Sequence, residues 1–464
     1  MFDPTLPSPI SALPAELCLH IFSFLDLRTL CAVAKVCRWF RHLAMDPFLF
    51  REISLGPLTK QKATQACEQT IARFATTLVS LQISSSGVEP GALHFLGQAE
   101  RLHTLRLVQV PSGLPAQMFG RMIRLETLSM LGCPDLNGAN LLALSVGSRG
   151  LRSLEFGGFK VDVLGFGPAL TNMRDSLTTL RLEASELPRE TLIGNLPVLG
   201  NLRTLGLKQT QSLTALPPGF WRSFPALTDL DLNRCSTLVP NDLLLLADDL
   251  TNLLRLDLGF VPAVTNEVLG VFAERLVSLR SLSLNSCAGF DNIQLDDIGH
   301  TTPFPSLRAI ALHSCPKVGP RFLGSLGRCS NLEEVDLSYV KVTDEGIYVF
   351  FSQAVRPSLK VLNLSSTNVT NATLGLVSAL APNLRQMHLC FCKIEESGVI
   401  SLAFGCQRLE VLNLRGCGAV TDDCLFPLFQ GLRYLRELVT LGTKIKNSSI
   451  TKLRGSGSTA PFFA

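Results

Sequence analysis

A single apolar pattern recurs along most of this chain and limits how it can fold. Leucines spaced as Leu-x-x-Leu-x-Leu, with occasional Met, Ile, Val or Phe, return every 23 to 28 residues. Fifteen copies in one register are not a chance result. The copies begin at Leu78, Leu102, Leu125, Leu151, Leu177, Leu202, Leu227, Leu253, Leu279, Leu307, Leu332, Leu359, Leu384, Leu409 and Leu435. Positions within each copy are numbered from this first leucine.

The spacing within each copy has a direct structural meaning. Alternating apolar residues predict a short strand with one buried face, and the rest of the copy returns the chain, usually as a helix. One copy cannot bury its own leucines, so neighbouring copies must stack. The pattern therefore predicts an α/β leucine-rich-repeat solenoid over residues 78–450, with about fifteen repeats, a parallel β-sheet on its concave face and helices on its convex face.

The segments after the strands carry helix-start signals. Thr343-Asp344 and Thr421-Asp422 supply the oxygens that suit a helix N-cap. Proline-rich stretches at residues 111–115 and 216–219 predict irregular convex segments instead of full helices.

The predicted sheet is large enough to hold a folded protein. Fifteen strands at about 4.8 Å spacing extend roughly 70 Å along the sheet. This length far exceeds what a small-molecule pocket needs.

Composition narrows the functional class. The net charge is only +4 and no basic run occurs, which gives no indication of nucleic-acid binding. No apolar run approaches the length of a membrane span, and the N-terminus lacks the features of a signal peptide. We expect a cytoplasmic or nuclear protein with no membrane or nucleic-acid partner and no cofactor.

Fourteen cysteines raise the question of a metal site, with Cys390 and Cys392 as the nearest pair. However, no Cys-x₂-Cys pair has a partner pair at zinc spacing. Six cysteines instead occupy repeat position nine: Cys133, Cys235, Cys287, Cys315, Cys392 and Cys417. This regularity predicts buried, free structural thiols in a reducing compartment, and no metal.

The segment before the repeats has a different character. Pro14 suits the first turn of a helix, and Leu17, Ile21 and Leu25 are spaced to share one helix face. Asp26 can cap a second short helix, and a third is expected from about Cys37. Helices this short are marginal alone, so they need one another or a partner.

This segment resembles an F-box, the domain that docks on Skp-family adaptors. The resemblance covers residues 11–50 and rests on the Leu-Pro-x-Glu-Leu opening, Ile-Phe-x-x-Leu, Val-Cys-Arg and Leu-Ala-x-Asp. Phe40 and Phe50 stand where tryptophan is usual in that family. The resemblance implies these adaptor-binding residues: Leu13, Pro14, Leu17, Ile21, Leu25, Leu30, Val36 and Phe40. A helical cap on the solenoid is the structural alternative, since solenoids need covered ends.

No Gly/Ser-rich linker separates the two parts. Residues 51–77 connect them, with Ile53 and Leu55 predicting a degenerate first strand and a helix expected from Lys62 to Ala75. We therefore expect the helical segment to be held rigidly against the first repeat. Residues 1–10 and 451–464 are expected to be flexible.

An F-box followed by cysteine-containing leucine-rich repeats resembles the substrate receptors of Skp–cullin–F-box ubiquitin ligases. The resemblance implies a receptor that performs no chemistry itself and holds a protein substrate for ubiquitination and proteasomal degradation. Two alternatives stay open. One is a scaffold that binds a Skp adaptor without ubiquitin transfer; the other is a ribonuclease-inhibitor-like binder whose helical segment serves only as a cap.

Repeat positions three, five, seven and eight should face out of the sheet. Acidic, basic and aromatic residues there make a composition typical of protein interfaces. Aspartates on neighbouring strands could bind a basic substrate patch or be neutralised by nearby arginines. The candidate substrate-contacting residues are Asp231, Arg255, Asp257, Phe260, His313, Asp336, Tyr339, His388, Phe391 and Arg415.

Enzyme signatures are missing from the sequence. It contains no phosphate-binding Gly-rich loop ending in Lys-Ser/Thr, no His-Glu-x-x-His and no Gly-x-Ser-x-Gly. We therefore predict a non-catalytic protein.

Overall fold

The computed structural model describes residues 13–56, 60–84, 88–110, 116–133, 138–157, 163–183, 189–194, 196–292, 303–352 and 356–449. These residues form two compact units. The first comprises the described residues up to Gly206 together with Ser223–Pro225, and the second comprises Leu207–Arg222 and the residues from Ala226 onward. The segments predicted to be flexible, 1–10 and 451–464, lie outside the described residues, as does the proline-rich stretch 111–115.

The first unit begins with three short helices and continues with parallel strands. The helices are α1 (Ala15–Phe22), α2 (Leu27–Val33) and α3 (Arg38–Ala44), followed by a 3₁₀ turn at Pro47–Phe50. The strands are β1 (Glu52–Leu55), β2 (Ser80–Ser84), β3 (Thr104–Val108), β4 (Thr127–Leu131), β5 (Ser153–Gly157), β6 (Thr179–Glu183) and β7 (Thr204–Gly206). From β1 to β6, each strand pairs in parallel with the next in chain order, and the pairing of β1 with β2 confirms the degenerate first strand.

Helical segments return the chain between these strands. They are α4 (Lys60–Gln69), 3₁₀ helices at Ile71–Thr77 and Pro90–Gln98, α5 (Ala116–Phe119), α6 (Gly138–Gly147), α7 (Val163–Met173) and α8 (Arg189–Gly194). The single helix predicted from Lys62 to Ala75 is thus two segments that meet at Thr70. The 3₁₀ winding of the second segment buries Ile71 and Ala75.

The second unit repeats the same scheme with shorter, three-residue strands. They are β8 (Asp229–Asp231), β9 (Arg255–Asp257), β10 (Ser281–Ser283), β11 (Ala309–Ala311), β12 (Glu334–Asp336), β13 (Val361–Asn363), β14 (Gln386–His388), β15 (Val411–Asn413) and β16 (Glu437–Val439). The intervening helices are α9 (Pro240–Asp249), α10 (Asn266–Arg275), α11 (Pro320–Leu326), α12 (Asp344–Phe351), α13 (Asn371–Leu380), α14 (Glu396–Gly405) and α15 (Leu425–Gly431). Short 3₁₀ turns lie at Phe220–Ser223 and Asp422–Cys424, the first where the Leu216–Gly219 prolines predicted irregular structure.

The core consists of stacked rungs, as the leucine pattern predicts. Leu332, Val335 and Leu337 occupy positions one, four and six of one repeat and are at most 1% exposed. Val335 pairs in register with Ile310 on one side and Leu362 on the other. Every apolar side chain of a rung is therefore covered by the rungs before and after it.

Repeat position eight has a recurrent backbone conformation. All twelve position-eight residues that the structure describes have φ between 55° and 80°, in the left-handed region. They are Gln109, Gly132, Gln209, Arg234, Phe260, Ser286, Ser314, Tyr339, Ser366, Phe391, Gly416 and Gly442. From Arg234 to Gly416 the amide of each donates to the position-seven carbonyl of the next repeat, as Tyr339 N–H does to Ser365 O at 2.9 Å. The turn thus extends the hydrogen-bond ladder beyond the strands.

The position-nine cysteines are buried free thiols, and their environment explains the residue type. Each sulfur donates to the position-six carbonyl of the preceding repeat, over 2.9–3.5 Å. For example, the Cys235 thiol donates to Leu207 O, and the Cys417 thiol donates to Leu389 O. A small side chain with a weak donor fills the site and occupies a buried acceptor at once.

The helix starts depart in part from the predicted caps. Thr265 and Thr370 accept from amides of α10 and α13, but Thr343 makes no side-chain cap. The Asp344 carboxylate instead reaches the next repeat, where it accepts from the amides and hydroxyls of Thr370 and Thr373. Partial burial opposes this charge, yet the four donors hold the pKa of Asp344 below its ordinary value. Asp344 therefore joins neighbouring repeats, whereas Thr265 and Thr370 cap their own helices.

Truncating a rung leucine should destabilise the protein strongly. Leu337→Ala leaves a void among fully buried neighbours and should cost about 2–5 kcal/mol of unfolding free energy. Glu334→Ala is the matched control, because Glu334 belongs to the same repeat and is exposed. Chemical denaturation followed by circular dichroism measures both, and equal stability of the two variants would contradict the predicted core position.

The buried thiols should be chemically silent in the folded protein. Burial raises the pKa of the Cys235 and Cys287 thiols to about 12. At pH 8 we expect iodoacetamide to label the exposed Cys37 and to spare Cys235 and Cys287 until denaturant is added. Peptide mass spectrometry reads this out, and labelling of Cys235 at the rate of Cys37 would refute it.

Candidate functional site

The α1 helix has two apolar faces with different roles. Cys18 and Phe22 face inward and, with Leu30, Leu43 and Ala44, form the core of the three-helix segment. The other face leaves Leu17 (49%) and Ile21 (48%) exposed, and Phe24, two residues beyond the end of α1, is 77% exposed. Exposed apolar side chains at this spacing suit contact with a partner protein.

Local hydrogen bonds and ring contacts fix the short helices. Asp26 caps α2 by accepting from Thr29 N–H at 2.7 Å, as predicted, and hydrogen bonds from the Thr29 side chain and then its amide lower the pKa of the Asp26 carboxyl. Cys37 caps α3 through its sulfur, which accepts from Phe40 N–H. The Phe40 ring packs edge-on against Phe22 with centroids 5.6 Å apart.

The structure sorts the predicted adaptor-binding residues. Pro14, Leu17, Ile21 and Val36 are exposed, with Val36 68% accessible. Leu13, Leu25 and Phe40 are half-buried and pack on the core. Leu30 is only 4% exposed, so its assignment as a contact residue is corrected: it supports the helices from inside.

Two details of α1 escaped the sequence prediction. Leu25 does not share the outer face with Leu17 and Ile21, because the helix ends at Phe22 and the chain then turns Leu25 inward. Phe24, in the turn after α1, is the exposed large side chain at this end of the helix. Helical spacing could not have placed either residue, because α1 ends at Phe22.

The helical segment is joined directly to the first repeat. Phe50 is 1% exposed and stacks on Phe74 with ring centroids 3.9 Å apart. Arg51 O accepts from the amides of Val79 and Ser80, which lead into β2. Both contacts lie within the first unit, so the segment and its first repeats form one compact body.

The predicted substrate-contacting aspartates of the second unit have structural duties. The Oδ1 atoms of Asp231, Asp257 and Asp336 each accept from the amide two residues ahead, at 2.8–2.9 Å. All three are half-buried. They secure the end of each strand, so replacing them with lysine would disturb the turn as well as any bound substrate.

Arginines account for further charge on this face. The Arg255 guanidinium pairs with Asp229 at 2.6 Å, which neutralises one of the acidic side chains. The Arg234 guanidinium lies 4.5 Å from the centre of the Phe260 ring. Arg234 thus holds Phe260 in place by a cation–π contact.

A half-buried polar network lies just beyond the ends of β11 and β12. The Ser338 hydroxyl donates to Asp336 at 2.6 Å, and His313 Nδ1 lies 2.8 Å from the same hydroxyl. The Tyr339 ring packs edge-on against His313 at 5.0 Å. Since the serine proton goes to the aspartate, His313 donates to Ser338 and cannot activate it as a nucleophile. The network orients Tyr339.

His388 lies half-buried on β14, between Asn363 of β13 and Asn413 of β15. Burial lowers the pKa of its imidazole, although Asp336 and Glu437 act in the opposite direction. The side chain is therefore neutral at pH 7 and offers hydrogen bonds without charge.

Three position-eight aromatics stand out of the second unit: Phe260 (44% exposed), Tyr339 (57%) and Phe391 (58%). They follow β9, β12 and β14, so they lie about 14 Å and about 10 Å apart along the sheet. The Phe391 ring lies over Gly416, where an added Cβ would clash with it. Arg415 is exposed beside it. The left-handed turns thus present these rings in fixed positions.

The described residues hold no group of three His, Cys, Asp or Glu side chains placed to bind a metal ion. No helix in this part of the chain has the length and apolar content that crossing a bilayer requires.

Comparisons with known proteins agree with these two components. The F-box-like family model matches residues 10–56, and a leucine-rich-repeat family model matches residues 328–351. The F-box/LRR-repeat protein 4 of Bos taurus is 25% identical over 208 residues, which is 44% of this chain and 29% of that protein. The chain thus combines an F-box-like segment with leucine-rich repeats, the two components named in this relative.

Other matches cover only parts of the proteins concerned or are distant. The F-box protein SKIP1 of Arabidopsis thaliana is 23% identical over 154 residues, covering 29% of this chain and 51% of that protein. The chain therefore spans about a third to half of these relatives.

The solved structures with a similar fold are more distant in sequence. An internalin of Listeria monocytogenes is 16% identical, with 81% of this chain and 93% of that chain covered and a TM-score of 0.47. The plant peptide hormone receptor RGFR1, in complex with RGF2, is also 16% identical, with 87% and 75% covered and a TM-score of 0.36. Neither likeness bears on function.

Proposed function

We propose that this protein is the substrate-recognition subunit of a Skp–cullin–F-box ubiquitin ligase. Its F-box docks on a Skp-family adaptor, and its repeats hold a protein substrate for ubiquitination and proteasomal degradation. The protein performs no chemistry itself and acts by holding the substrate near the charged enzyme. It works in the cytoplasm or nucleus, where both the adaptor and reduced thiols are available.

The exposed apolar face of the F-box is the observation that carries this proposal. Leu17, Ile21 and Phe24 remain accessible although an inward apolar face already stabilises the helices. Free apolar surface of this kind costs solubility unless a partner covers it. A Skp-family adaptor is the partner that the family match implies.

The second unit supplies a surface suited to a protein substrate. Phe260, Tyr339 and Phe391 are large, exposed and held by their neighbours, which lowers the entropy lost on binding. Half-buried polar groups such as His388 and Asn413 lie among them. Aromatic anchors within a polar surround are typical of protein-binding hot spots.

Charging the outer F-box face should abolish adaptor binding without unfolding the protein. The variant Ile21→Asp with Val36→Asp places carboxylates where apolar contacts are expected and should weaken Skp-adaptor binding by at least about tenfold. Both side chains are at least 48% exposed, so the melting temperature should hardly change. Isothermal titration calorimetry with purified adaptor measures the loss.

Val146→Asp serves as the control, because Val146 is 61% exposed on α6 and lies away from the F-box. Normal adaptor binding by the double variant would contradict the docking role. Affinity purification from cells then tests the ligase assignment. Recovery of cullin with the adaptor supports a ligase receptor, whereas adaptor without cullin would favour the non-ligase scaffold.

Removing the position-eight rings should impair substrate handling alone. Some proteins should accumulate in cells from which the gene is deleted. Their levels should stay elevated when those cells express the triple variant Phe260→Ser, Tyr339→Ser and Phe391→Ser, because this variant lacks the aromatic anchors. Adaptor binding should be unchanged. Quantitative proteomics of cells expressing each variant provides the measurement.

An equal number of exposed rings on the helices gives the matched control. Tyr348, Phe404 and Phe426 lie on α12, α14 and α15 and are 61–63% exposed. Their combined replacement by serine should restore normal protein levels. Rescue by the position-eight variant would remove these aromatics from the substrate surface.

A further inference from the structure

A charged ladder runs along the edge of the second unit where its strands begin. It is formed by repeat position two, the residue directly before each of β10 to β16. Its seven members, called the edge ladder below, are Arg280, Arg308, Glu333, Lys360, Arg385, Glu410 and Arg436.

Backbone hydrogen bonds hold the edge ladder in register. After Arg280, the amide of each member donates to the carbonyl of the member before it at 2.7–2.8 Å, as Glu333 N–H does to Arg308 O and Lys360 N–H does to Glu333 O. Adjacent members are thus one strand spacing apart. Six steps of about 4.8 Å give a row about 29 Å long.

The charges of the edge ladder are organised in two triads. Glu333 lies between Arg308 at 3.1 Å and Lys360 at 2.5 Å. Glu410 lies between Arg385 and Arg436, each at 3.3 Å. Each carboxylate therefore positions two cations, and each triad keeps one unbalanced positive charge. The cationic side chains are about half exposed or more, while the carboxylates are about a quarter exposed.

Positive charge prevails along the whole row. Five cations and two carboxylates leave an excess of three positive charges, although the entire chain carries only +4. The loops that lead into these strands add exposed Arg328, Arg408 and Arg433. Among the described residues of those loops, no carboxylate other than Glu333 and Glu410 is present.

We propose that the edge ladder binds an extended acidic segment of a protein partner. The segment lies along the row, and its carboxylates pair with the cations that Glu333 and Glu410 hold in place. Arginine and lysine held by a neighbouring carboxylate lose less side-chain entropy when they meet a further acid.

Charge density favours an acidic peptide over a nucleic acid. The ladder carries one excess charge per about 10 Å, which equals about three residues of an extended chain. Counting the three loop arginines as well raises this to one per about 5 Å. Duplex DNA carries one negative charge per about 1.7 Å, which is far denser than the positive charge of the ladder. Two carboxylates also interrupt the row and would repel DNA phosphates.

The edge ladder lies at the start of the strands, whereas Phe260, Tyr339 and Phe391 follow their ends. The inference does not depend on adaptor docking or on ubiquitin transfer. It is tested with the purified full chain alone, so its failure would leave the proposed ligase role untouched.

Peptide binding provides the test. The probe is a fluorescent synthetic peptide of about ten residues with glutamate at every third position, which spans the ladder when extended. Fluorescence anisotropy should show binding in dilute salt that fades at about 0.5 M salt, and a lysine version of the peptide should not bind. Lys360→Glu with Arg385→Glu and Arg436→Glu should weaken binding by at least about tenfold.

The same repeats offer a matched control at the opposite ends of the strands. Lys341, Lys393 and Lys444 are exposed at position ten, and their combined change to glutamate should alter binding by less than about twofold. A second ladder variant, Lys360→Gln with Arg385→Gln and Arg436→Gln, removes the positive charges without adding negative ones. Thermal melting of both ladder variants separates lost binding from lost folding.

Several results would overturn the inference. These are failure of the acidic peptide to bind, an equal loss in the control variant, or tighter binding of single-stranded DNA than of the peptide. Light scattering provides a further test that could overturn the inference. If the unmodified protein self-associates at low salt and the ladder variant does not, the row binds a second copy of this chain.

Discussion

The structure depends on one constraint: no repeat can cover its own leucines. Each rung of positions one, four and six becomes buried only when the rungs on both sides are present, and the parallel strands hold those rungs in register. This requirement places equivalent positions of successive repeats side by side, so that each position forms a row. The thiol, left-handed and charged rows are all consequences of that alignment.

Each row uses its position differently. Position nine faces inward, where a cysteine thiol can reach the preceding carbonyl, as Cys315 reaches Leu284 O. Position eight faces outward in a left-handed turn, and position two lies at the start of the strand. The same side chain would therefore act as core, anchor or charge depending only on its place within the repeat. Position thus carries as much functional information here as residue type.

The sequence was sufficient to predict the strands, because burial of a strand face imposes alternation that leucine spacing records directly. The predicted first strand at Ile53 and Leu55 shows that even a degenerate copy keeps this signal. The faces of α1 were harder to assign, because both are apolar and only packing distinguishes the buried Phe22 from the exposed Ile21.

The roles of single polar residues could not be predicted in the same way. Asp231 and Asp336 are residue types expected at an interface, but their carboxylates accept from amides two residues ahead. Only the folded structure reveals these hydrogen bonds. The left-handed turns were also hidden. Most of their residues are neither glycine nor asparagine, the types that usually mark such a conformation.

Those turns have a consequence for how the surface can change over time. Holding a non-glycine residue at positive φ costs roughly 1–2 kcal/mol of conformational energy. The fold already includes this cost at most position-eight turns, whichever non-glycine residue occupies them. Exchanging serine for an aromatic residue at position eight therefore adds little new backbone strain, as Ser314 and Tyr339 illustrate. The position-eight residues can consequently be substituted one at a time while the buried leucines stay the same. A new binding specificity can therefore arise without a new fold.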